Sequence, residues 1–195
     1  MYIRFLKVQP VNKWEQKRKT MHRYDLTAEI YERRYAEEQA VKYKAALKHI
    51  LINKDSKVLD VGCGTGLLFS HIAAEAQIVL AVDISSKLLQ QGKERSRGFC
   101  RVHLVKADAD HLPFINNQFN VILAFTVLQN MPKPLETLNE IKRNAQQGAS
   151  IGVTGLKKIF SLEAFQALLQ DAGLQVVYIE DDEPLKCYVA VTVKR

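Results

Sequence analysis

Residues 58–66 read VLDVGCGTG, and the predicted fold is built around this stretch. Val58 to Val61 is mostly apolar and β-branched, which is typical of a strand buried on both faces. The strand ends in a glycine-rich turn, Gly62 to Gly66, and apolar residues resume from Leu68 at helical spacing. Glycine lacks a Cβ and tolerates positive φ, while a helix start offers free N–H groups. The stretch therefore predicts a strand, a turn and a helix at which a ligand can approach bare backbone.

The glycine spacing indicates which ligand is expected. Glycines stand at 62, 64 and 66, and Leu67 stands where the dinucleotide pattern G-x-G-x-x-G needs its third glycine. The G-x-G-x-G pattern led by Asp60 resembles the first motif of the class I S-adenosylmethionine-dependent methyltransferases. The resemblance implies that Asp60 and the turn, Cys63 included, hold the methionine part of S-adenosylmethionine. The alternative is an ordinary strand-to-helix turn.

Asp83 is the next cofactor-binding candidate. It ends the apolar run Ile78 to Val82, and a carboxylate at the end of the second strand can accept hydrogen bonds from both ribose hydroxyls. NAD and S-adenosylmethionine both contain this ribose, so Asp83 alone does not choose between them. Ile84 follows and is expected to pack on the adenine face. In the competing interpretation, Asp83 and Ser85 only cap the next helix.

Two later segments extend the resemblance. Residues 106–114, KADADHLPF, are similar to the acidic loop after the third strand of the family. Asp108 matches the aspartate that accepts from the adenine amino group, and the backbone of Ala109 is expected at the ring edge. The fourth strand, residues 119–125, ends at Phe125, where the family's transferable methyl group lies.

A helix is expected from Tyr24, capped by Asp25 or Thr27. Its segment YDLTAEIYERRY is similar to the helix that precedes many small methyltransferase domains and lies across the bound cofactor. Tyr24 and Tyr31 fall on one face of this helix, which is also typical of a core stripe. Together with Gln129 and Asn130 after the fourth strand, they are the candidate substrate contacts.

No residue is assigned a catalytic role. The N/D-P-P-Y/F motif of amino-group methyltransferases is missing near Thr126, and no Ser/His/Asp or Cys/His set is evident. The resemblance implies that the chain mainly aligns an acceptor with the methyl group of the cofactor. The cysteines lack the spacing of a zinc site, so no metal is expected.

The resemblance covers residues 24–195 and implies an α/β fold. The expected fold is a three-layer α/β/α sandwich around a seven-stranded, mostly parallel sheet with strand order 3-2-1-4-5-7-6 and an antiparallel last strand. Residues 1–23 are expected to form a basic arm and residues 24–195 a single methyltransferase domain. That domain comprises a helical segment at 24–52 and a Rossmann-like core at 57–195.

Charge suggests the class of acceptor. Residues 1–23 carry +6 of the formal net charge of +7, and Lys157 and Lys158 are expected to border an open mouth with little lid. Both features favour RNA or another macromolecule as acceptor. The arm is expected to bind nucleic acid and to stay apart from the cofactor site; in the competing interpretation it is a solvated tail. A small-molecule acceptor is the alternative, and a cofactor-binding protein without transfer activity is the second alternative.

Composition excludes other classes. No apolar run approaches the roughly 18 residues of a membrane span, so no membrane partner is expected. Three cysteines form no disulfide framework, which favours a reducing compartment, the cytoplasm.

Overall fold

The computed structural model describes residues 12–195, except the side chains of residues 28–34. Its strands, in chain order, are β1 Lys57–Val61, β2 Ile78–Asp83, β3 Val102–Lys106, β4 Phe119–Ala124, β5 Ala145–Leu156, β6 Leu174–Glu180 and β7 Cys187–Lys194. Its α-helices are α1 Lys13–Leu47, α2 Phe69–Ile72, α3 Ser86–Ser96, α4 Pro134–Asn144 and α5 Leu162–Asp171. A short 3₁₀ helix, Leu128–Asn130, follows β4. None of these helices combines the length and apolar character that crossing a bilayer requires.

The seven strands form one sheet in the order β3-β2-β1-β4-β5-β7-β6, as predicted. Strands β1 to β5 pair in parallel, and β7 runs antiparallel to both β5 and β6. β1 lies between β2 and β4, so the chain changes its direction of winding there. Such a switch point leaves a crevice at the carboxyl ends of the strands, where ligands bind in open α/β sheets.

β1 is buried on both faces, which confirms the prediction for residues 58–61. Alternate side chains point to opposite faces of a strand. Val58 shares a core with Phe69 of α2, while Leu59 shares the opposite core with Leu138 of α4 and Phe165 of α5. Two apolar cores therefore fix the height at which the glycine turn leaves the sheet.

α1 begins eleven residues earlier than the sequence predicted. It starts at Lys13, where the side chain of Asn12 accepts a hydrogen bond from the N–H of Trp14 at 3.0 Å. The helix then continues without a break through residue 24, where the arm was expected to end. Most of residues 13–23 are strong helix formers, but they lack an apolar stripe, so periodicity gave no sign of this part of the helix.

The two predicted caps of α1 have other roles, so that prediction was wrong. Asp25 lies inside the helix, and its carboxylate accepts a hydrogen bond from the hydroxyl of Ser85. Thr27 donates its hydroxyl to the carbonyl of Arg23 at 2.9 Å, one turn back in the same helix. Asp25 thereby ties α1 to Ser85, the N-cap of α3.

Candidate functional site

The glycine turn needs its glycines for two different reasons. All three have positive φ, 72° at Gly62, 55° at Gly64 and 78° at Gly66. A Cβ at Gly62 would lie 2.6 Å from Cγ2 of Val127, and one at Gly66 would collide with the ring of Phe69. At Gly64 nothing lies within 4 Å of the Cβ position. Gly62 and Gly66 therefore serve packing, whereas Gly64 leaves open space beside the backbone.

Asp83 is held in place by the backbone around it. Its Oδ2 accepts from the N–H of Gly64 at 2.9 Å, and its Oδ1 accepts from the N–H of Ser85 at 2.8 Å. Burial raises the pKa of the Asp83 carboxyl, while these backbone hydrogen bonds counteract the rise. A carboxylate has about four acceptor positions, so Asp83 keeps capacity for two ribose hydroxyls.

Asp60 is a buried carboxyl beneath the same turn. Its side chain is only 3% exposed, and its Oδ2 has no hydrogen-bond partner among the described residues. Burial, and secondly the charge of Asp83, raise the pKa of Asp60 to about 8. Buried polar atoms are rarely left unpaired, so this oxygen is suited to receive a cationic or N–H group of a ligand.

Lys17 is a site residue that the sequence analysis missed. Its Nζ lies 2.7 Å from both carboxylate oxygens of Asp108 and 2.5 Å from Oδ2 of Asp110. Asp110 also accepts from the hydroxyl of Thr137 of α4 at 2.5 Å. The Lys17 side chain is 7% exposed, so α1 is fastened to the acidic loop by a nearly buried ion pair. Asp108, the expected partner of the adenine amino group, is thus already paired with an ammonium.

Thr126, two residues beyond the end of β4, has a φ of 64°, an outlier for a β-branched residue. Hydrogen bonds hold it there: its N–H donates to Oγ1 of Thr154 at 2.7 Å, and Nε2 of Gln39 donates to its Oγ1 at 3.0 Å. Nδ2 of Asn130 donates to its carbonyl at 2.8 Å and to the hydroxyl of Tyr24 at 3.0 Å. Such strain persists only where the surroundings enforce it, and it clusters at functional sites.

A first cavity of about 110 Å³ lies at the carboxyl ends of β1 to β4. It brings together seven of the predicted cofactor residues: Gly62, Gly64, Asp83, Ile84, Asp108, Ala109 and Phe125. Asp60, Cys63 and Gly66 do not line it. Lys17, Thr20 and Met21 of α1 do, so the expectation that residues 1–23 stay apart from the cofactor site is wrong for this part of them.

A second, larger cavity of about 560 Å³ adjoins the first. The two cavities share Tyr24, Thr126 and Asn130, and Gln129 lines the second. Three of the four predicted substrate contacts therefore surround it; the side chain of Tyr31 lies outside the described residues. Lys157 and Lys158 line neither cavity, and Lys157 pairs with Asp181 at 2.7 Å, so the expected basic mouth is not formed by them.

The residues present fit the groups of S-adenosylmethionine. Asp83 offers two carboxylate oxygens to ribose hydroxyls, and Gly64 leaves room for a ligand against the backbone. Asp60, which lies beneath the turn and does not line the cavity, has a buried oxygen without a partner among the described residues, of the kind that suits the amino group of the methionine part. Ile84 and Ala109 lie on the wall where the adenine is expected.

Comparison with known proteins indicates which kind of domain the chain contains. Residues 58–148 match the family described as "Methyltransferase domain". A demethylmenaquinone methyltransferase of Staphylococcus saprophyticus is 33% identical over 111 residues, which are 55% of this chain and 48% of that protein. That of Staphylococcus aureus is 33% identical over 118 residues, 59% of this chain and 49% of that protein. The chain thus spans about half the length of the curated relatives it matches.

Among solved structures, a SAM-dependent methyltransferase from Aquifex aeolicus superposes with a TM-score of 0.71 at 20% identity, covering 78% of this chain and 89% of that chain. At this identity the likeness concerns the fold. Residues 58–148 thus match a methyltransferase domain, and the chain has the fold of S-adenosylmethionine-dependent methyltransferases.

Proposed function

We propose that the protein transfers the methyl group of S-adenosylmethionine to a small organic acceptor bound in the second cavity. One observation carries the proposal: the two cavities meet at Tyr24, Thr126 and Asn130, at the carboxyl end of β4. A cofactor in the first cavity and an acceptor in the second would have their reacting ends at this junction.

The chain contributes mainly position. When bound, the cofactor supplies a methyl group whose bond to the sulfonium sulfur breaks as an acceptor lone pair forms the new bond, which leaves a neutral thioether. Asp83 would hold the ribose, and Gly64 would let the ligand lie against the backbone. Thr126, fixed by Gln39 and Thr154, would give the junction a rigid wall. Such alignment can contribute about 7–11 kcal/mol to lowering a barrier without a dedicated base.

The contacts of α1 favour a small acceptor over RNA. Lys13 pairs with Glu136 at 2.6 Å, Lys19 pairs with Glu15 at 3.1 Å, and Lys17 is nearly buried on the acidic loop. Two of the six net positive charges of residues 1–23, those of Lys13 and Lys17, are therefore paired with carboxylates elsewhere in the protein. The curated relatives are named for demethylmenaquinone, a small molecule, which supports the same class of acceptor.

Transfer can be tested with S-adenosylmethionine labelled in its methyl group. The purified protein would be incubated with separate RNA, protein and small-molecule fractions of a cell extract. We expect label in the small-molecule fraction, whereas label in RNA alone would restore the macromolecular hypothesis. Binding of the cofactor without labelling of any fraction would favour the binding protein without transfer activity.

The substitution Asp83→Ala tests the same proposal at a single residue of the cofactor site. It should weaken S-adenosylmethionine binding by about 1.5–3 kcal/mol, the range for hydrogen bonds to a charged group, and reduce labelling accordingly. Asp171→Ala, an exposed aspartate on α5, is the matched control and should change neither. Unchanged calorimetric affinity in a folded Asp83→Ala protein would remove Asp83 from the site.

We further propose a cytoplasmic location. Cys63, Cys100 and Cys187 are all unpaired, as suits a reducing compartment.

A further inference from the structure

Lys17 and Asp108 form an ion pair at the place where the adenine of the cofactor is expected. Nζ of Lys17 lies 2.7 Å from each carboxylate oxygen of Asp108, so the ammonium lies in front of both oxygens. The two side chains are 7% and 15% exposed, so salt and water screen the pair only weakly. The carboxylate that was expected to receive the adenine amino group therefore carries a cation of the protein itself.

The acceptor positions that remain on Asp108 can be counted. Its Oδ1 also accepts from the backbone N–H of Asp110 at 3.0 Å, whereas Lys17 is the single donor to Oδ2 among the described residues. A carboxylate has about four acceptor positions, two on each oxygen. One position is therefore left, on Oδ2. It can take one N–H of the amino group at position 6 of an adenine, but the charge of Asp108 is compensated without it.

Lys17 is likewise fully paired before any ligand arrives. Its Nζ lies 2.5 Å from Oδ2 of Asp110, and Oδ1 of Asp110 accepts from the hydroxyl of Thr137 at 2.5 Å. An ammonium has three N–H donors, and the three carboxylate oxygens around Lys17 can take all of them. Thr137 belongs to α4 and is fully buried, so it fixes Asp110 and, through Asp110, the ammonium.

The energetic value of a donor depends on what the acceptor has lost. A nearly buried carboxylate without a counter-charge is strongly destabilised, so a ligand donor that reaches it gains a charge-assisted hydrogen bond. Asp108 already has its counter-charge in Lys17. Deleting the amino group of the ligand then removes one hydrogen bond of ordinary strength and leaves no uncompensated charge behind.

We propose that Lys17 determines the purine specificity of the cofactor site: by pairing with Asp108, it allows binding of cofactors whose purine lacks the 6-amino group. The inference rests on the proposed function only in placing the adenine in the first cavity beside Asp108. It does not depend on the acceptor. Lys17 and Asp108 both line that cavity, so a purine there meets the pair rather than a free carboxylate.

Two ligands that differ in a single group test the proposal by binding alone. S-adenosylhomocysteine and its analogue with hydrogen in place of the 6-amino group keep the same ring nitrogen acceptors. Each would be titrated into the wild-type protein and followed by calorimetry. We expect the analogue to bind less than about tenfold more weakly, the range for a hydrogen bond that leaves no charge unpaired. A loss of tenfold or more would overturn the proposal.

Substitution of Lys17 should restore the selectivity. In Lys17→Met the loss on removing the 6-amino group should be about tenfold larger than in wild type, because Asp108 then lacks its cation. Lys19→Met is the control on the same helix, since the Lys19 side chain is 71% exposed, and it should keep the wild-type ratio. An unchanged ratio of the two affinities in Lys17→Met would overturn the role of Lys17.

A double variant guards against loss of folding. Lys17→Met leaves the carboxylates of Asp108 and Asp110 without their shared cation, whereas Lys17→Met/Asp110→Asn removes one positive and one negative charge together. The net charge of the cluster stays the same, and Asp108 remains as its single carboxylate. The double variant should show the same increase in selectivity, and a wild-type ratio in it would overturn the proposal.

The outcomes separate this proposal from the proposed function. If the folded wild-type protein binds neither ligand, the placement of the cofactor is wrong, and both proposals fail. If S-adenosylhomocysteine binds and removal of its 6-amino group is strongly unfavourable, the cofactor site stands and only the role of Lys17 is overturned. If both ligands bind with similar affinity but no extract fraction accepts label, transfer fails and the specificity of the cofactor site is upheld.

Discussion

At the scale of single residues, the glycine turn distinguishes a structural requirement from a ligand requirement. Gly64 and Gly148 both have positive φ, 55° and 78°, and both have open space at the Cβ position. Only Gly64 lines a cavity. A valine at either position must adopt a left-handed conformation, which costs about 1–3 kcal/mol. Gly64→Val should therefore abolish S-adenosylmethionine binding, while Gly148→Val should lose similar stability and keep binding.

Calorimetric titration together with urea unfolding of both variants checks this prediction. Retained binding within a factor of two by Gly64→Val would mean that the turn is only structural.

The same scale explains what the sequence could predict of the site. Residues at or just beyond strand ends, such as Asp83 and Asp108, were identifiable because the carboxyl ends of parallel strands meet at one edge of the sheet. Lys17 and Gln39 were not, because their partners lie 91 and 87 positions away in the chain. Hydrophobic periodicity along the chain reports only local structure, so it does not predict contacts between residues so far apart. The two acids in residues 106–114 were the only hint that a cation would be needed there.

At the scale of elements, α1 is part of the site rather than an arm. The strands and α3 to α5 were predictable from apolar runs and caps, such as Ser161 before α5. The first half of α1 was not, because its role depends on one lysine reaching Asp108 and Asp110. Removing one partner of a buried ion pair leaves the other charges uncompensated and costs about 3–5 kcal/mol.

Lys17→Met should therefore lower the free energy of unfolding by roughly that amount, with the upper end reduced because Lys17 retains some solvent contact. It should also weaken S-adenosylmethionine binding at least tenfold, since Lys17 forms part of the cavity wall. Lys19→Met is the control on the same helix, because the Lys19 side chain is 71% exposed and pairs only with Glu15. Urea unfolding and calorimetry of both variants provide the measurements. Equal affinity in the two variants would mean that α1 acts only as a covering element.

At the scale of the whole molecule, a buried carboxyl links stability to pH. Oδ2 of Asp60 has no hydrogen-bond partner among the described residues. Burial, with the charge of Asp83, raises the pKa of Asp60 from 3.8 to about 8. Between pH 3.8 and about pH 8, Asp60 is therefore protonated in the folded protein but ionised in the unfolded chain. Rising pH then favours the unfolded chain. The stability contributed by protonated Asp60 is complete below the unfolded-state pKa of 3.8 and is lost as the pH rises through the folded-state pKa of about 8.

Asp60→Asn removes this linkage while keeping the shape of the side chain. The wild-type protein should lose stability relative to the variant as pH rises from about 5 to about 8, by at most about 1.4 kcal/mol per pH unit. The variant should also bind S-adenosylmethionine less tightly, because the carboxyl group expected to meet the amino group is gone. Urea unfolding at several pH values measures the first effect, and Asp171→Asn, an exposed substitution on α5, controls for the loss of a carboxyl elsewhere. Parallel pH profiles for the free energies of unfolding of wild type and Asp60→Asn would mean that Asp60 has the same pKa in the folded and unfolded states. The predicted rise of its pKa on folding would then be wrong.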